Sequence, residues 1–235
     1  PATSSTTTSS STTTSTAPVT TPVALSVMPC PTTFALATPP AKVALPATEA
    51  VPVAPDQASY LVVFSDDSGV IKMVGPRGWI CKASYGADGS GGMLLQPAGG
   101  ELAASGSGGH VASTSAVEAI ESYETGASPV QGATAACPVV PAAAAAMQQY
   151  LGRECAAHPA AETLLPESAN NVAFVDPPGT AGTGAPSGGL NPASGVVLYL
   201  PGGNKSSAYL ATCTLPAVQT AVCSTVLHYF VSLYG

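Results

Sequence analysis

Charge is what this sequence has least of. Only 8% of its 235 residues are Asp, Glu, Lys or Arg, against roughly 25% in an average soluble domain. Six Lys and Arg stand against 13 Asp and Glu, a formal net charge of -7. With no basic stripe to neutralise phosphates, nucleic-acid binding is not expected. No run of about 18 apolar residues occurs, so no membrane span is expected. Apolar heptads are missing, which excludes a coiled coil. Ala and Val spread among Gly, Pro, Ser and Thr account for the hydrophobic content, so solubility must rest on hydroxyls and backbone.

Six cysteines are present. An even count in an extracytoplasmic chain points to three disulfides. Zinc would need closer clusters such as Cys-x2-Cys, and the nearest pair here is Cys213 and Cys223. Order along the chain suggests Cys30–Cys81, Cys137–Cys155 and Cys213–Cys223, one of fifteen possible connectivities. Each such closure would remove roughly 3–4 kcal/mol of unfolded-state freedom in the chain-entropy description. The alternative is that several are buried thiols, since free Cys packs as a small hydrophobe. The chain opens on Pro1-Ala2-Thr3, which fits a mature chain whose leader has been removed.

Residues 1–22 are Ser or Thr at all but six positions. Such a tract buries too little apolar surface to offset its backbone entropy, and is expected to be a disordered stalk of the O-glycosylated type or a frayed terminus. Residues 23–58 are Pro-rich and read as an extended, irregular segment pinned at Cys30. The remaining chain, 59–235, is long enough for one core.

Within it, Tyr60–Phe64 and Val70–Val74 flank a polar turn and predict a hairpin, as do Trp79–Tyr85 and Met93–Gln96. Residues 97–112 read as a Gly/Ser-rich loop. Ser115 to Glu118 matches a capping box and predicts a helix to about Tyr123. A second helix follows Cys137-Pro138 through Ala142–Ala146 to Leu151, with Pro141 in its first turn. Val172–Val175, Gly195–Leu200 and Ser207–Thr212 are predicted strands, and Asp176–Ser194 a long loop between them. From Leu215 to Tyr234, Val218, Val222, Val226 and Phe230 recur every four residues, one stripe of an amphipathic helix. Strands and helices without βαβ alternation give an α+β fold: an antiparallel or mixed sheet of short strands packed by about three helices.

The chemistry-bearing residues are few. No Gly-x-Ser-x-Gly elbow is present; Ser90 and Ser187 sit in Gly-rich turns whose hydroxyls are better explained as backbone partners. His110 lies in a loop and His228 beside the stripe of the last helix. His158 and Glu162 are four apart, but Pro159 breaks the helix that would align them, and two ligands do not make a zinc site. No metal and no cofactor is expected. If Cys155 were unpaired, His158 would make it the first thiol nucleophile to consider. Asp66-Asp67 fills a turn and is expected to be solvated. The loop from Asp176 is not a phosphate loop, lacking Gly-x4-Gly-Lys-Ser/Thr. A long structured loop is nonetheless a usual home for binding. Arg77, in Gly-Pro-Arg-Gly-Trp, and Asp176 are therefore the candidate binding pair; catalytic residues are not assigned.

The runs Gly75-Pro-Arg-Gly-Trp79-Ile-Cys81 and Tyr85-Gly-Ala-Asp88-Gly-Ser90 resemble a pattern in an uncharacterised family of secreted, Cys-bridged proteins of high-GC Gram-positive bacteria. Asp176-Pro-Pro-Gly179, Pro186-Ser-Gly-Gly189, Asn191-Pro-Ala-Ser-Gly195 and Thr212-Cys-Thr-Leu-Pro216 fit the same resemblance, which covers most of residues 28–235. It implies a secreted, bridged domain and carries over no catalytic residue.

Three functions are compatible with these features. The first is a non-enzymatic extracellular or wall-associated domain on a flexible spacer, with an unknown surface partner. The second is a secreted hydrolase of wall or polymer material, using a Ser such as Ser90 or Ser187 with one of the histidines. The third is a subunit of an extracellular assembly, in which low charge suits self-association. A Ser or Cys within hydrogen-bond reach of an imidazole, in a pocket, separates the second from the others.

Overall fold

The computed structural model describes residues 21–35, 40–99, 102–104, 111–113, 118–125, 128–184, 189–202 and 206–235. The stalk expected at 1–22 therefore lies, but for Thr21 and Pro22, outside the described residues.

The Pro-rich segment is extended, and its extension is strand. β1 (Thr21–Cys30), β2 (Thr32–Phe34) and β3 (Thr48–Val53) come from it. They are followed by the hairpin β4 (Leu61–Asp66) and β5 (Lys72–Pro76), then the hairpin β6 (Ile80–Tyr85) and β7 (Gly91–Gln96). β1, β3, β4 and β5 form a four-stranded sheet in the order β3-β1-β4-β5, with β1 and β4 parallel. Pro52 falls on the edge strand, where its missing N–H costs no ladder bond.

The second sheet has eight strands. It adds β10 (Ala119–Thr125), β11 (Thr163–Pro166), β12 (Asn171–Asp176), β13 (Ala193–Leu200) and β14 (Ser207–Thr214), in the order β11-β12-β13-β14-β10-β7-β6-β2. Only the β2–β6 pair is parallel. The chain passes between the sheets three times, at Pro31, between β2 and β3, and between β5 and β6, and the Cys30–Cys81 disulfide joins the sheets at the first and last of these, Cα to Cα 5.4 Å. Leu61, Val63 and Met73 of the small sheet and Leu95 and Ile120 of the large one belong to a single hydrophobic core and are almost fully buried.

Among the described residues three helices complete the fold: α1 (Pro129–Ala136), α2 (Pro141–Leu151) and α3 (Thr220–Tyr234). α1 and α2 cover one face of the large sheet through Ala133, Val140, Ala143 and Met147 on Val172, Phe174, Val197 and Tyr199. The Cys137–Cys155 disulfide closes this helical pair. α3 lies on the opposite face, where Phe230 meets Val196, Leu198 and Ala211, and Cys213–Cys223 fastens it to β14. All six cysteines are thus paired, consecutively along the chain. The architecture is α+β, with mixed sheets of short strands and three helices.

Four expectations are corrected. The helix anticipated from Ser115 to Tyr123 is strand β10 from Ala119 onward. Ile120, Ser122 and Thr125 are buried, and the strand pairs with both β7 and β14. Two ladders satisfy its backbone along nearly its whole length, an outcome that a local capping pattern cannot compete with. Within the segment read as loop, Leu102–Ala104 (β8) and Val111–Ser113 (β9) pair antiparallel. α1 was not anticipated, although Ser128-Pro129 is its start signal: the Ser128 side chain accepts from Gln131 N and Pro129 sits in the first turn. Finally, Val218 is 92% exposed, whereas Val222, Val226 and Phe230 are buried. Val218 belongs to a 3-10 turn, Ala217–Gln219, whose three-residue period turns it off the α3 stripe.

Candidate functional site

α3 buries Val222, Val226 and Phe230, which sends Ser224 and His228 to the solvent side one turn apart. Their separation is Ser224 Oγ to His228 Nδ1, 3.4 Å. Both residues line a groove of about 180 Å³ between α3 and the strands β12 and β13. Its apolar wall is Ala173, Gly195, Val196, Leu227 and Val231, and the one charged residue among the described residues of its lining is Glu167. Glu167 is presented by the tight turn joining β11 to β12, where Glu167 N and Ser168 N both donate to Asn171 O. Its Oε2 accepts from Asn171 Nδ2 at 2.6 Å, which orients the carboxylate at the mouth of the groove.

Gly195 lines the floor with its backbone, and its missing side chain matters on the other face of the sheet. A Cβ there would stand 2.2 Å from the Phe174 ring and 2.6 Å from the Ala211 carbonyl oxygen. Only glycine lets β13 lie against both.

This is the one contact between a candidate nucleophile and an imidazole among the described residues, and sequence reading had not paired these two. Spacing i, i+4 on the polar side of a predicted helix was the signal available. The pair has features that matter for chemistry. At 3.4 Å it is longer than the 2.6–3.2 Å of a working nucleophile–base contact. The hydroxyl meets Nδ1, the ring nitrogen that an orienting carboxylate occupies in the Ser-His-Asp arrangement.

The residues singled out from sequence fall elsewhere. Ser90 is fully buried and donates to Asp88 Oδ1 at 2.5 Å, a contact within its turn. Asp88 is also held by Gln131 of α1, at 2.6 Å. His110 and Ser187 lie outside the described residues. Cys155 is bridged and cannot act as a thiol. His158 Nδ1 is 3.1 Å from Pro159 O and 3.4 Å from Glu162 Oε2. Glu162 in turn accepts from Thr183 N, 2.8 Å, and Asp176 from Gly184 N, 2.8 Å. Two buried carboxylates on neighbouring elements thus tie down consecutive amides of the long loop. A Cβ on Gly182 would lie 2.1 Å from Asp176 Oδ1, so the loop closes onto that carboxylate only with glycine there.

Asp176 is consequently a buried loop anchor, while Arg77 is exposed in the turn after β5, with its backbone N donating to Tyr60 O. The ion pairs among the described residues do not include one between them. No group of three or more His, Cys, Asp or Glu able to hold a metal occurs among the described residues.

Asp66 corrects another expectation. It is 0% exposed and accepts from Ser68 N (3.0 Å), Ser68 Oγ, Ile71 N (2.9 Å) and Tyr85 Oη (3.1 Å). Its neighbour Asp67 is paired with Lys42 at 2.6 Å. The Asp66–Tyr85 bond ties the β4–β5 turn to β6, and Tyr85 stacks on Phe34 with centroids 5.4 Å apart.

Two further carboxyls carry perturbed titrations. Burial pushes the Glu124 carboxyl up, partly offset by a hydrogen bond from Tyr209. Burial also acts on Glu49, but hydrogen bonds from Lys72 (2.8 Å) and Tyr229 (2.6 Å) outweigh it and hold Glu49 below its ordinary value.

No family model, no curated protein and no solved structure matches this chain. No helix among the described residues is long and apolar enough to cross a membrane.

Proposed function

We propose that this chain is a non-enzymatic extracellular or cell-wall-associated domain, displayed on the Ser/Thr-rich segment that precedes it. The observation that carries the proposal is the pairing of all six cysteines into three disulfides, each joining two different parts of the fold. Such bridges persist in oxidising compartments. The resemblance to secreted, Cys-bridged proteins of high-GC Gram-positive bacteria supports the same assignment. So does the use of its buried acids: Asp66, Glu162 and Asp176 each accept hydrogen bonds from backbone amides, which is a structural duty. Alkylation of denatured, non-reduced protein followed by mass spectrometry tests the compartment. Unmodified cysteines support the assignment, and four or more alkylated thiols overturn it.

One observation favours a hydrolase instead, the Ser224–His228 contact at the edge of a groove. A broad fluorophosphonate probe separates the two functions. Absence of labelling supports the display domain. Labelling that disappears in Ser224→Ala makes the chain a serine hydrolase.

A further inference from the structure

The groove beside α3 has a composition that selects one kind of guest. Its wall is aliphatic, from Ala173, Val196, Leu227 and Val231. Its volume of about 180 Å³ is a little above the roughly 150 Å³ of an apolar cavity that accepts benzene. A single ring or a short branched chain is therefore the size that fits.

The polar side of the groove is made of acceptors. Asn171 Nδ2 donates to Glu167 Oε2, and the exposed carboxylate has capacity to accept further hydrogen bonds. Ser224 offers its hydroxyl oxygen. When His228 carries its proton on Nδ1, facing Ser224 Oγ, its Nε2 is a third acceptor. Among the described residues of the lining, Lys and Arg are absent and Glu167 is the only charge. An ammonium group has three donors and one positive charge, the complement of this set. A carboxylate would face like charge. A larger groove elsewhere, about 390 Å³ beside Lys42 and Asp67, makes no such selection, because its two charges are paired with each other at 2.6 Å.

We propose that the Glu167–Ser224–His228 groove binds a small primary ammonium carried on an aliphatic or single-ring body, its apolar part against Val196 and Leu227 and its nitrogen at Glu167. The proposal gives the displayed domain a ligand class. It rests on that assignment only for its biological setting, since binding at the groove is measurable whatever compartment the chain occupies.

All three rim residues are exposed, so the charge contributes modestly and burial of the apolar body supplies most of the affinity. The test uses the full, bridged, isotope-labelled chain and three probes sharing one body: cyclohexylmethylamine, cyclohexylmethanol and cyclohexanecarboxylate. Amide shift titrations should map to Gly195, Val196, Leu227 and His228. The amine should bind about two- to fivefold more tightly than the alcohol, the range of an exposed ion pair, and the carboxylate more weakly than the alcohol. Glu167→Gln should remove the advantage of the amine and leave the alcohol unchanged. Leu227→Trp, which fills the groove, should abolish binding of all three. An amine that binds no better than the alcohol, an advantage that survives in Glu167→Gln, or shifts mapping elsewhere would each overturn the proposal. Disulfide mapping and probe labelling are unaffected by these results, so the ligand class and the display function can fail separately.

Discussion

Replacing Asp66 by Asn removes one charge and almost no volume, and the structure says where the cost falls. Asp66 is 0% exposed, and three donors converge on its Oδ2: Ser68 N, Ser68 Oγ and Tyr85 Oη. Ile71 N donates to Oδ1. An Asn amide oxygen can keep the Ile71 bond. Its NH2 group then faces the Ser68 N–H, donor against donor, while the two hydroxyls rotate to accept. Hydrogen bonds to a charged group contribute about 1.5–3 kcal/mol against roughly 0.5–1.5 for neutral ones, and an orphaned buried N–H costs about 1–3. Relief from burying a charge offsets part of this sum. A net loss of about 3 kcal/mol remains. With a urea dependence of about 3 kcal/mol/M, the unfolding midpoint should fall by roughly 1 M. The assay is equilibrium unfolding followed by tryptophan fluorescence with the bridges intact. Tyr85→Phe, which deletes one of the four bonds to the carboxylate, should cost about 1.5–3 kcal/mol in the same assay. If Asp66→Asn lies within about 0.5 kcal/mol of the parent, the carboxylate is not the anchor of this turn and the reasoning is refuted.

Two other substitutions test different parts of the fold. Gly195→Ala should be among the most damaging changes available, since its methyl would meet the Phe174 ring at 2.2 Å and the Ala211 carbonyl at 2.6 Å. Overpacking of this kind costs about 1–3 kcal/mol, and Phe174→Leu in the same chain should recover part of it; a single variant with parental stability contradicts the packing described. Glu124 concerns pH. Burial raises its folded-state value above the ordinary 4.5, against which the Tyr209 hydroxyl acts only in part. The folded state therefore holds a proton that the unfolded state has released, and stability declines as pH rises through that window. Glu124→Gln should flatten the decline and be at least as stable as the parent near neutrality, by unfolding midpoints measured across about pH 4 to 7; parallel profiles for the two proteins would count against it.

Much of the fold was legible because several segments carry their own local instructions. The β4–β5 and β6–β7 hairpins each have β-rich arms around a polar, Gly-containing turn, and a turn of that kind specifies its own neighbours. α2 follows from a Pro at its first turn and a run of Ala. The stripe Val222, Val226, Phe230 marks the buried side of α3, and by the same spacing its opposite side, which carries Ser224 and His228. What stayed hidden has a common cause. The capping pattern ahead of β10 predicts a helix because it is local, whereas the strand conformation is dictated by β7 and β14, one close in sequence and the other about ninety residues away.

The amino-acid sequence by itself determined the class of the molecule: few charges, six cysteines, a pure Ser/Thr tract and an α+β succession of short elements. These are properties of composition and near neighbours, and they survive without knowledge of which distant segments meet. Tertiary structure alone decided the site. Glu167 belongs to a turn and Ser224 and His228 to the last helix, more than fifty residues on. Only the packing of α3 across β12 and β13 makes them the rim of one groove. The same holds for Asp66 and Asp176, polar residues in loop-like surroundings that the fold turns inward to receive backbone amides. Burial is a sum over contacts distant in sequence, so local pattern marks what a residue can do and the assembled fold decides what it faces.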